Sequence, residues 1–185
     1  MTPRPPPPDV PITQTRLALL QAMPVFGALH AGALGCLLAH AQAVTVARCG
    51  WFFHEGETGE QMFVLESGRV AILKAWEGRE YLLREFGPGD CFGEIALLDF
   101  CPRSASGLAL TECSALAFDC SALYALHERD PEQFVLLQMN LGRELCRRLR
   151  VADEQLFRTR IAAEAIEGYP LFDGGMHACP IDAGC

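Results

Sequence analysis

Residues 87–106 bring a glycine-rich bend, an acidic side chain and a basic side chain close together in the sequence. Gly93 has no side chain, so the backbone there can approach a ligand closely. The N–H groups of a short helix beginning near Glu94 would favour an anion. Arg103 follows nine residues later, next to Ser104, where a guanidinium and further N–H groups can bind the same anion from the other side. The segment therefore predicts a phosphate site.

Glu94 is unexpected in a phosphate site, because its carboxylate would repel the phosphate. Its presence is explained if Glu94 accepts a hydrogen bond from a sugar hydroxyl beside the phosphate, as an acidic residue does for ribose in dinucleotide sites. An anion site and a hydroxyl acceptor together predict a ribose phosphate. Lys74 is the only lysine among fifteen basic residues, so the phosphate is expected to meet a guanidinium.

Two segments, residues 92–98 (Phe-Gly-Glu-Ile-Ala-Leu-Leu) and 102–105 (Pro-Arg-Ser-Ala), resemble the phosphate-binding cassette of cyclic-nucleotide-binding domains. Such domains occur in catabolite activator proteins, cyclic-nucleotide-dependent kinases and gated ion channels. Residues 55–59 and 63–70 look like the strand and turn pattern of the same β-roll, so the resemblance covers roughly residues 17–160. It implies an α+β fold, in which N-terminal helices and a long C-terminal helix flank a double-stranded β-helix, or jelly-roll β-barrel.

The resemblance implies a role for each cassette residue. Glu94 and the Gly93 amide would hold the ribose 2′-hydroxyl, and Arg103 would pair with the cyclic phosphate. The backbone N–H groups of Ala96 and Ser104 would complete the phosphate cradle, with the Ser104 hydroxyl as a further donor. The other cassette positions predicted in the site are Ile95 and Ala105. The implied ligand is cyclic AMP or cyclic GMP, and no metal is expected.

Alignment with the activator proteins also places three apolar residues, Ile72, Leu83 and Phe86, against the purine. Ordinary barrel core explains each of them equally well. On the long helix, Ala152-Asp153 replaces the Thr-Ser pair that reads adenine in the activators. A carboxylate at Asp153 would accept one hydrogen bond from adenine but two from the N1–H and N2–H groups of guanine. The resemblance favours cyclic AMP as the ligand, and Asp153 leaves cyclic GMP open. The alternative is that Asp153 is a solvated residue on the helix surface and does not contact the base.

Turn signals about ten residues apart between residues 44 and 118 predict an antiparallel sandwich or jelly roll. Helices are predicted before it, over residues 13–23 and 31–41. A longer helix is predicted to begin at Asp130-Pro131, where an N-cap candidate precedes a proline at the first helical position.

Apolar residues recur at three- and four-residue steps along this longer helix as far as Gly168. At about 1.5 Å per residue its length is on the order of 50 Å, so part of its apolar stripe overhangs the barrel. The overhang predicts a homodimer through residues 131–160. A stripe covered by the chain's own barrel and N-terminal helices is the alternative.

The composition provides one domain core, with 185 residues of which 50% are hydrophobic and 21% charged. A formal net charge of −8 argues against a general nucleic-acid-binding surface. Residues 168–185 are too few for the winged helix-turn-helix of bacterial activators and carry no Arg or Lys, so we expect no direct DNA binding. The initiating Met and a non-helical end favour a complete small protein, with a fragment of a longer regulator as the alternative.

The expected organisation is a proline-rich tail (residues 1–12), a cyclic-nucleotide-binding domain with its C-terminal helix (13–160), and a helix end with an irregular tail (161–185). Residues 17–47 lack acidic and basic side chains, but a proline, three glycines and several polar side chains argue against a membrane-spanning helix. We therefore expect a cytoplasmic protein with no membrane contact.

Nine cysteines form an odd set that lies mostly in apolar stretches, which predicts reduced thiols. A metal site at His177, Cys179 and Cys185 is the alternative, although this spacing is typical of no familiar metal site. A metal-dependent cupin-type enzyme needs two or three histidines and a carboxylate at one metal. The five histidines show no such grouping, and no Ser-His-Asp spacing occurs, so we expect no enzyme.

The favoured function is a stand-alone sensor. A cyclic nucleotide binds the cassette, the region beside residues 119–130 moves, and an unidentified downstream protein reads the shift of the C-terminal helix. One alternative is a dimerisation or interaction module that has kept the fold and lost the nucleotide. Another is a truncated transcriptional regulator.

Overall fold

The computed structural model describes residues 12–167, and their side chains as far as residue 162. Two helices and a short 3-10 turn come first, and eight strands follow within the described range. The helical elements are α1 (Gln14–Ala22), the turn Pro24–Phe26, α2 (Ala31–Ala39), α3 (Glu94–Asp99), α4 (Cys120–Arg129) and α5 (Pro131–Glu167). The strands are β1 (Gln42–Val46), β2 (Trp51–Phe53), β3 (Gln61–Ser67), β4 (Val70–Trp76), β5 (Arg79–Phe86), β6 (Cys91–Phe92), β7 (Ser106–Ala109) and β8 (Cys113–Asp119).

The strands form two four-stranded sheets with the orders β1-β8-β3-β6 and β2-β7-β4-β5. All their pairings are antiparallel. Because strands that are distant in sequence are neighbours in both sheets, the chain winds into a jelly-roll-like β-roll. The predicted fold class is confirmed, including the N-terminal helices and the long C-terminal helix.

Two apolar clusters fill the interior. One lies between the two sheets and is dominated by phenylalanine rings, including Phe53, Phe63 and Phe92. The other joins α1, α2, α4 and the start of α5 to the outer side of the first sheet, through residues such as Leu34 and Leu126. The cassette helix α3 contributes Leu97 to this second cluster, so it is packed against the helical layer.

Local capping explains where the helices begin. The Thr13 side chain accepts a hydrogen bond from the Arg16 backbone N–H at 3.2 Å and caps α1. Arg16 then holds α1 on the β-roll through two hydrogen bonds to the Glu66 carboxylate, at 2.7 and 3.1 Å. At α5, Asp130 accepts from the Gln133 N–H at 3.2 Å, directly before Pro131. The predicted start of the long helix is confirmed.

The described chain divides into two compact units, one ending at Gly142 and the other beginning at Arg143, so that the boundary falls within α5. In the second unit every described side chain from Leu149 to Ala162 is exposed. The predicted proline-rich tail up to residue 11, the tail from residue 168, and the metal alternative at His177, Cys179 and Cys185 lie outside the described residues.

Three further observations concern residues 12–167 only. No helix there combines the length and apolarity needed to cross a bilayer. None of the seven cysteines in this range is in a disulfide. The same range contains no cluster of three or more His, Cys, Asp or Glu side chains suited to a metal ion.

Candidate functional site

The cassette begins where β6 leads into α3 through Gly93. This glycine is the N-cap of α3 and has a left-handed backbone, with φ of 76°. A Cβ atom at this position would lie 2.8 Å from Nη1 of Arg103. Both the backbone conformation and the contact therefore require glycine. The close approach predicted at Gly93 is present, but the group that approaches is the Arg103 side chain.

Arg103 is buried between the β-roll and α3, with 6% of its surface exposed. Its Nη1 donates to the Gly93 carbonyl and its Nη2 donates to the Gln61 carbonyl at 2.6 Å. The guanidinium also lies over the Phe53 ring, 4.3 Å from the centroid. The buried Nε has no hydrogen-bond partner among the described residues, so one donor of the guanidinium is left unsatisfied.

Charge in the site is set by Arg103 and two acidic residues. Burial lowers the pKa of Arg103 below the ordinary arginine value, while Glu57 and Glu94 act in the opposite direction. Glu94 itself is 2% exposed at the first position of α3. Because arginine keeps its proton at any physiological pH, the site presents a desolvated cation beside a buried carboxylate. That is the pair expected for binding an anion and a hydroxyl.

The loop after β2 holds the second arm of the cassette. The Arg103 N–H donates to the Glu57 carbonyl at 2.8 Å, and the Gly56 N–H donates to the Arg103 carbonyl at 2.9 Å. Ser104 is exposed, and Ala105 is buried directly before β7. The structure thus brings Gly93, Glu94, Arg103, Ser104 and Ala105 into one region, as the motif predicted.

The first turn of α3 contains the two other cassette residues. Ile95 is 44% exposed, whereas Ala96 is buried against the protein interior. Backbone N–H groups in the first turn of a helix have no acceptor within that helix. The role predicted for the Ala96 N–H in a phosphate cradle is compatible with this position and stays a prediction.

The three residues predicted against the purine lie on β4 and β5. Ile72 is half-buried on the phenylalanine cluster, and Phe86 is buried and stacks on Phe92 with ring centroids 5.8 Å apart. Leu83 differs from both, because it is 59% exposed. The β4–β5 register passes from the pair Ile72–Arg84 to the pair Leu73–Leu82, which leaves Leu83 at a bulge. Their contact with a base stays a prediction.

Asp153 is an exposed residue of α5 and belongs to the second unit. The selectivity predicted for it stays a prediction.

Sequence reasoning missed several residues that hold the site. The Gln61 carbonyl binds Arg103, Phe53 supports the guanidinium, and Lys74 donates to the Ser104 carbonyl at 2.8 Å. These partners lie between 30 and 50 residues before the groups they contact. The only sequence signal was indirect: Phe53 ends a short apolar run, and Lys74 is the single lysine of the chain.

The β-roll and the cassette are similar to those of known proteins. Residues 43–130, which run from β1 to the end of α4 and include the whole cassette, match the family model of the cyclic nucleotide-binding domain. The chain belongs to the cyclic-nucleotide-binding domain family. The predicted resemblance is confirmed.

Individual relatives agree with this membership. Over 133 residues the chain is 35% identical to a CRP-like cAMP-activated global transcriptional regulator of Mycobacterium tuberculosis, a match covering 71% of this chain and 58% of that protein. The N-terminal domain of a transcriptional regulator from Streptomyces coelicolor matches with a TM-score of 0.63 and 35% identity, covering 70% of this chain and 93% of that one. The regulatory domain of Toxoplasma gondii PKA, crystallised with cAMP, matches with a TM-score of 0.57 and 26% identity, covering 60% and 43%. This member of the family spans little more than half the length of the mycobacterial regulator.

Proposed function

We propose that this protein is a regulatory sensor that binds a 3′,5′-cyclic nucleotide at the cassette of residues 93–105. One observation carries the proposal: the buried Arg103 guanidinium is held by the Gly93 and Gln61 carbonyls and the Phe53 ring, beside the buried Glu94. Burying a cation is costly unless partners compensate for the lost water. Such an arrangement is expected where an anion has to be bound.

The same observation favours this proposal over a fold that has lost its ligand. A module used only for dimerisation has no need of a desolvated guanidinium, and an apolar side chain would fill the same space at less cost. Glu94 supports the argument, because a buried acceptor next to the cation matches a ribose hydroxyl next to a phosphate.

We propose cyclic AMP as the preferred ligand. Two relatives support this choice, since one is a cAMP-activated regulator and the other is a regulatory domain that was crystallised with cAMP. Cyclic GMP is the competing ligand, because a carboxylate at Asp153 can accept two hydrogen bonds from guanine. The variant Asp153→Ala separates the two possibilities, since it removes a guanine preference and leaves an adenine preference unchanged.

The packing supports a route by which binding is transmitted. Leu97 of α3, Leu126 of α4 and Leu137 of α5 share one core cluster. Close-packed interiors transmit displacements, so a shift of α3 on ligand binding would be felt at the α4–α5 junction. We propose that α5 then presents a changed surface to a downstream protein.

Three further properties belong to the proposal. Exposed apolar residues along α5 support a homodimer through residues 131–160. The odd number of cysteines and their positions in apolar stretches support a reducing compartment, the cytoplasm. The protein acts by binding and has no catalytic activity of its own.

The second candidate is a transcriptional regulator of which this chain is one part. The match of this chain to 58% of the mycobacterial regulator favours it.

Calorimetric titration of the purified chain with cyclic AMP, cyclic GMP and 5′-AMP tests the binding. We expect saturable heat with cyclic AMP, weaker or no binding of cyclic GMP, and none of 5′-AMP, which carries a different phosphate charge and shape. Absence of binding by both cyclic nucleotides would remove the sensor function and leave the dimerisation module.

A further inference from the structure

Lys74 joins three segments of the chain near the cassette. Its ammonium donates to the Ser104 carbonyl at 2.8 Å and to Oε1 of Glu55 at 2.6 Å. The other carboxylate oxygen of Glu55 accepts from the Ala75 N–H at 3.2 Å. The Glu55 backbone N–H in turn donates to the Ser106 hydroxyl at 2.9 Å. We call this set of contacts the Lys74–Glu55 clasp.

The clasp acts on the part of the chain that carries the predicted phosphate ligands. Ser104 and Ala105 follow Arg103 directly, and Ser106 begins β7. A peptide unit is planar and trans, so a hydrogen bond that fixes the Ser104 carbonyl also fixes the Ala105 N–H, which points the opposite way. Without the clasp, the Ser104–Ala105 turn would have to be ordered when the ligand binds, at a cost in affinity.

The charges within the clasp are balanced. Lys74 and the Ala75 N–H hold the pKa of Glu55 below its ordinary value, so the carboxylate stays ionised at neutral pH. The ammonium is oriented by the carboxylate and the carbonyl together, and its net effect on a nearby anion is reduced by Glu55. If Lys74 positions the turn, removing the Glu55 carboxylate should weaken nucleotide binding. If Lys74 acts only as a positive charge, the same change should strengthen binding.

We propose that Lys74, together with Glu55, is a positioning residue that pre-orders the Ser104–Ala105 turn for the phosphate of the bound nucleotide. This inference rests on the proposed function and deepens it. In this role Lys74, the only lysine of the chain, increases nucleotide affinity without contacting the ligand.

Three variants test the proposal by titration with cyclic AMP. We expect Lys74→Met to weaken binding about three- to tenfold, and Lys74→Arg, which keeps a charged donor, to restore most of it. Glu55→Gln is expected to weaken binding in the same direction. If Lys74 acted only as a charge, Glu55→Gln would tighten binding. The control is Arg69→Met, which removes a cation paired with Glu85 at 3.6 Å elsewhere on the β-roll, and it should leave the affinity unchanged.

Hydrogen–deuterium exchange of the ligand-free protein provides a second readout. The clasp predicts faster exchange in residues 103–106 of Lys74→Met, reversed in Lys74→Arg, with the rest of the β-roll unchanged. This pattern also shows that the variant is folded. Unchanged affinity and unchanged exchange in Lys74→Met, while the wild-type chain binds, would overturn the clasp and leave the proposed function intact. A wild-type chain that binds neither nucleotide would overturn both.

Discussion

The Arg103 guanidinium lies on the face of the Phe53 ring and donates to two backbone carbonyls, so its burial is compensated without a salt bridge among the described residues. A cation over an aromatic face is attracted by the ring quadrupole, most strongly where water is excluded. Phe53 therefore contributes to holding the guanidinium where an incoming phosphate would meet it. Its neighbour Phe52 makes edge-to-face contacts with Phe63 and Phe92 in the same cluster.

Replacing the ring tests this contribution. We expect Phe53→Leu to weaken cyclic-nucleotide binding about two- to tenfold, because the loss of a cation–π contact costs roughly 0.5 to 1.5 kcal/mol at a partly buried site. Phe52→Leu is the matched control, since it removes a ring from the same cluster but not the ring nearest Arg103. Titration gives the affinities and urea unfolding gives the stabilities of both variants. Equal loss of affinity in the two would contradict the role of Phe53.

At this scale the sequence was informative only where contacts are local. Gly93, Glu94 and Arg103 lie within eleven consecutive residues, so a motif could predict them. The Gln61 carbonyl, 42 positions before Arg103, reaches the guanidinium only because β3 and β6 are paired. A backbone carbonyl also carries no signature of residue type, so no sequence pattern marks it.

The junction of α4 and α5 is the part of the structure that we propose moves when the nucleotide binds. Asp130 caps α5 through the Gln133 N–H and contacts Nε2 of His30 at 2.9 Å. The His30 N–H donates to Oε1 of Gln133 at 3.0 Å, and the buried Asn140 donates to the Gly27 carbonyl at 2.8 Å. The start of α5 is therefore tied to the residues that precede α2.

Removing the Asp130 carboxylate tests this junction. We expect Asp130→Ala to lower the melting temperature by about 2 to 4 °C, because both the helix cap and the His30 contact are lost. Asp130→Asn, which keeps a capping oxygen, should lose less. Differential scanning calorimetry of the three proteins measures this. A melting temperature of Asp130→Ala equal to that of the wild type would show that the cap contributes nothing.

The charge of Asp130 predicts a pH dependence. Hydrogen bonds from the Gln133 N–H and from His30 hold the pKa of Asp130 below its ordinary value of 3.8. Its contribution to stability is thus fully present above pH 3.8 and is lost as the pH falls through the lower folded-state pKa. Urea midpoints should therefore show that the advantage of wild type over Asp130→Asn shrinks below about pH 4. A constant difference down to about pH 3 would contradict this assignment.

Elements with strong local signals could be predicted, and those set by pairing could not. The start of α5 followed from Asp130-Pro131, and the helices before the β-roll followed from apolar patterning. The bulge that exposes Leu83 depends on how β5 pairs with β4, and the residue types of β5 contain no sign of it. The alignment with the activator proteins placed Leu83 and Phe86 together against the purine, but Phe86 is buried and Leu83 is exposed.

At the scale of the whole molecule, α5 carries more apolar surface than a solvated helix needs. Val135, Met139, Leu149 and Leu156 are each more than half exposed. Leu149 and Leu156 are seven positions apart, so they lie on one face of the helix, as residues of a coiled-coil seam do. The length of the helix was predictable from its repeat, but a partner for this face was only inferred.

The homodimer predicts a specific effect of charge on that face. We expect the wild-type chain to have twice its monomer mass in light scattering, and Leu149→Glu and Leu156→Glu to have the monomer mass, because opposed carboxylates would be buried in the seam. Arg158→Glu, an exposed position on the opposite face of the same helix, is the control and should leave the mass unchanged. A monomeric wild-type chain would contradict the proposed dimer.

The dependence of nucleotide affinity on Arg103 tests the central claim most directly. In calorimetric titrations with cyclic AMP, we predict that Arg103→Ala binds about 10- to 150-fold more weakly than the wild type, because a charge-assisted bond contributes roughly 1.5 to 3 kcal/mol. Arg103→Lys, which keeps the charge but not the fork, should lie between them, and Arg48→Ala, which removes an exposed cation, should match the wild type. Binding of cyclic AMP by a folded Arg103→Ala variant with wild-type affinity would contradict the cassette as the binding site.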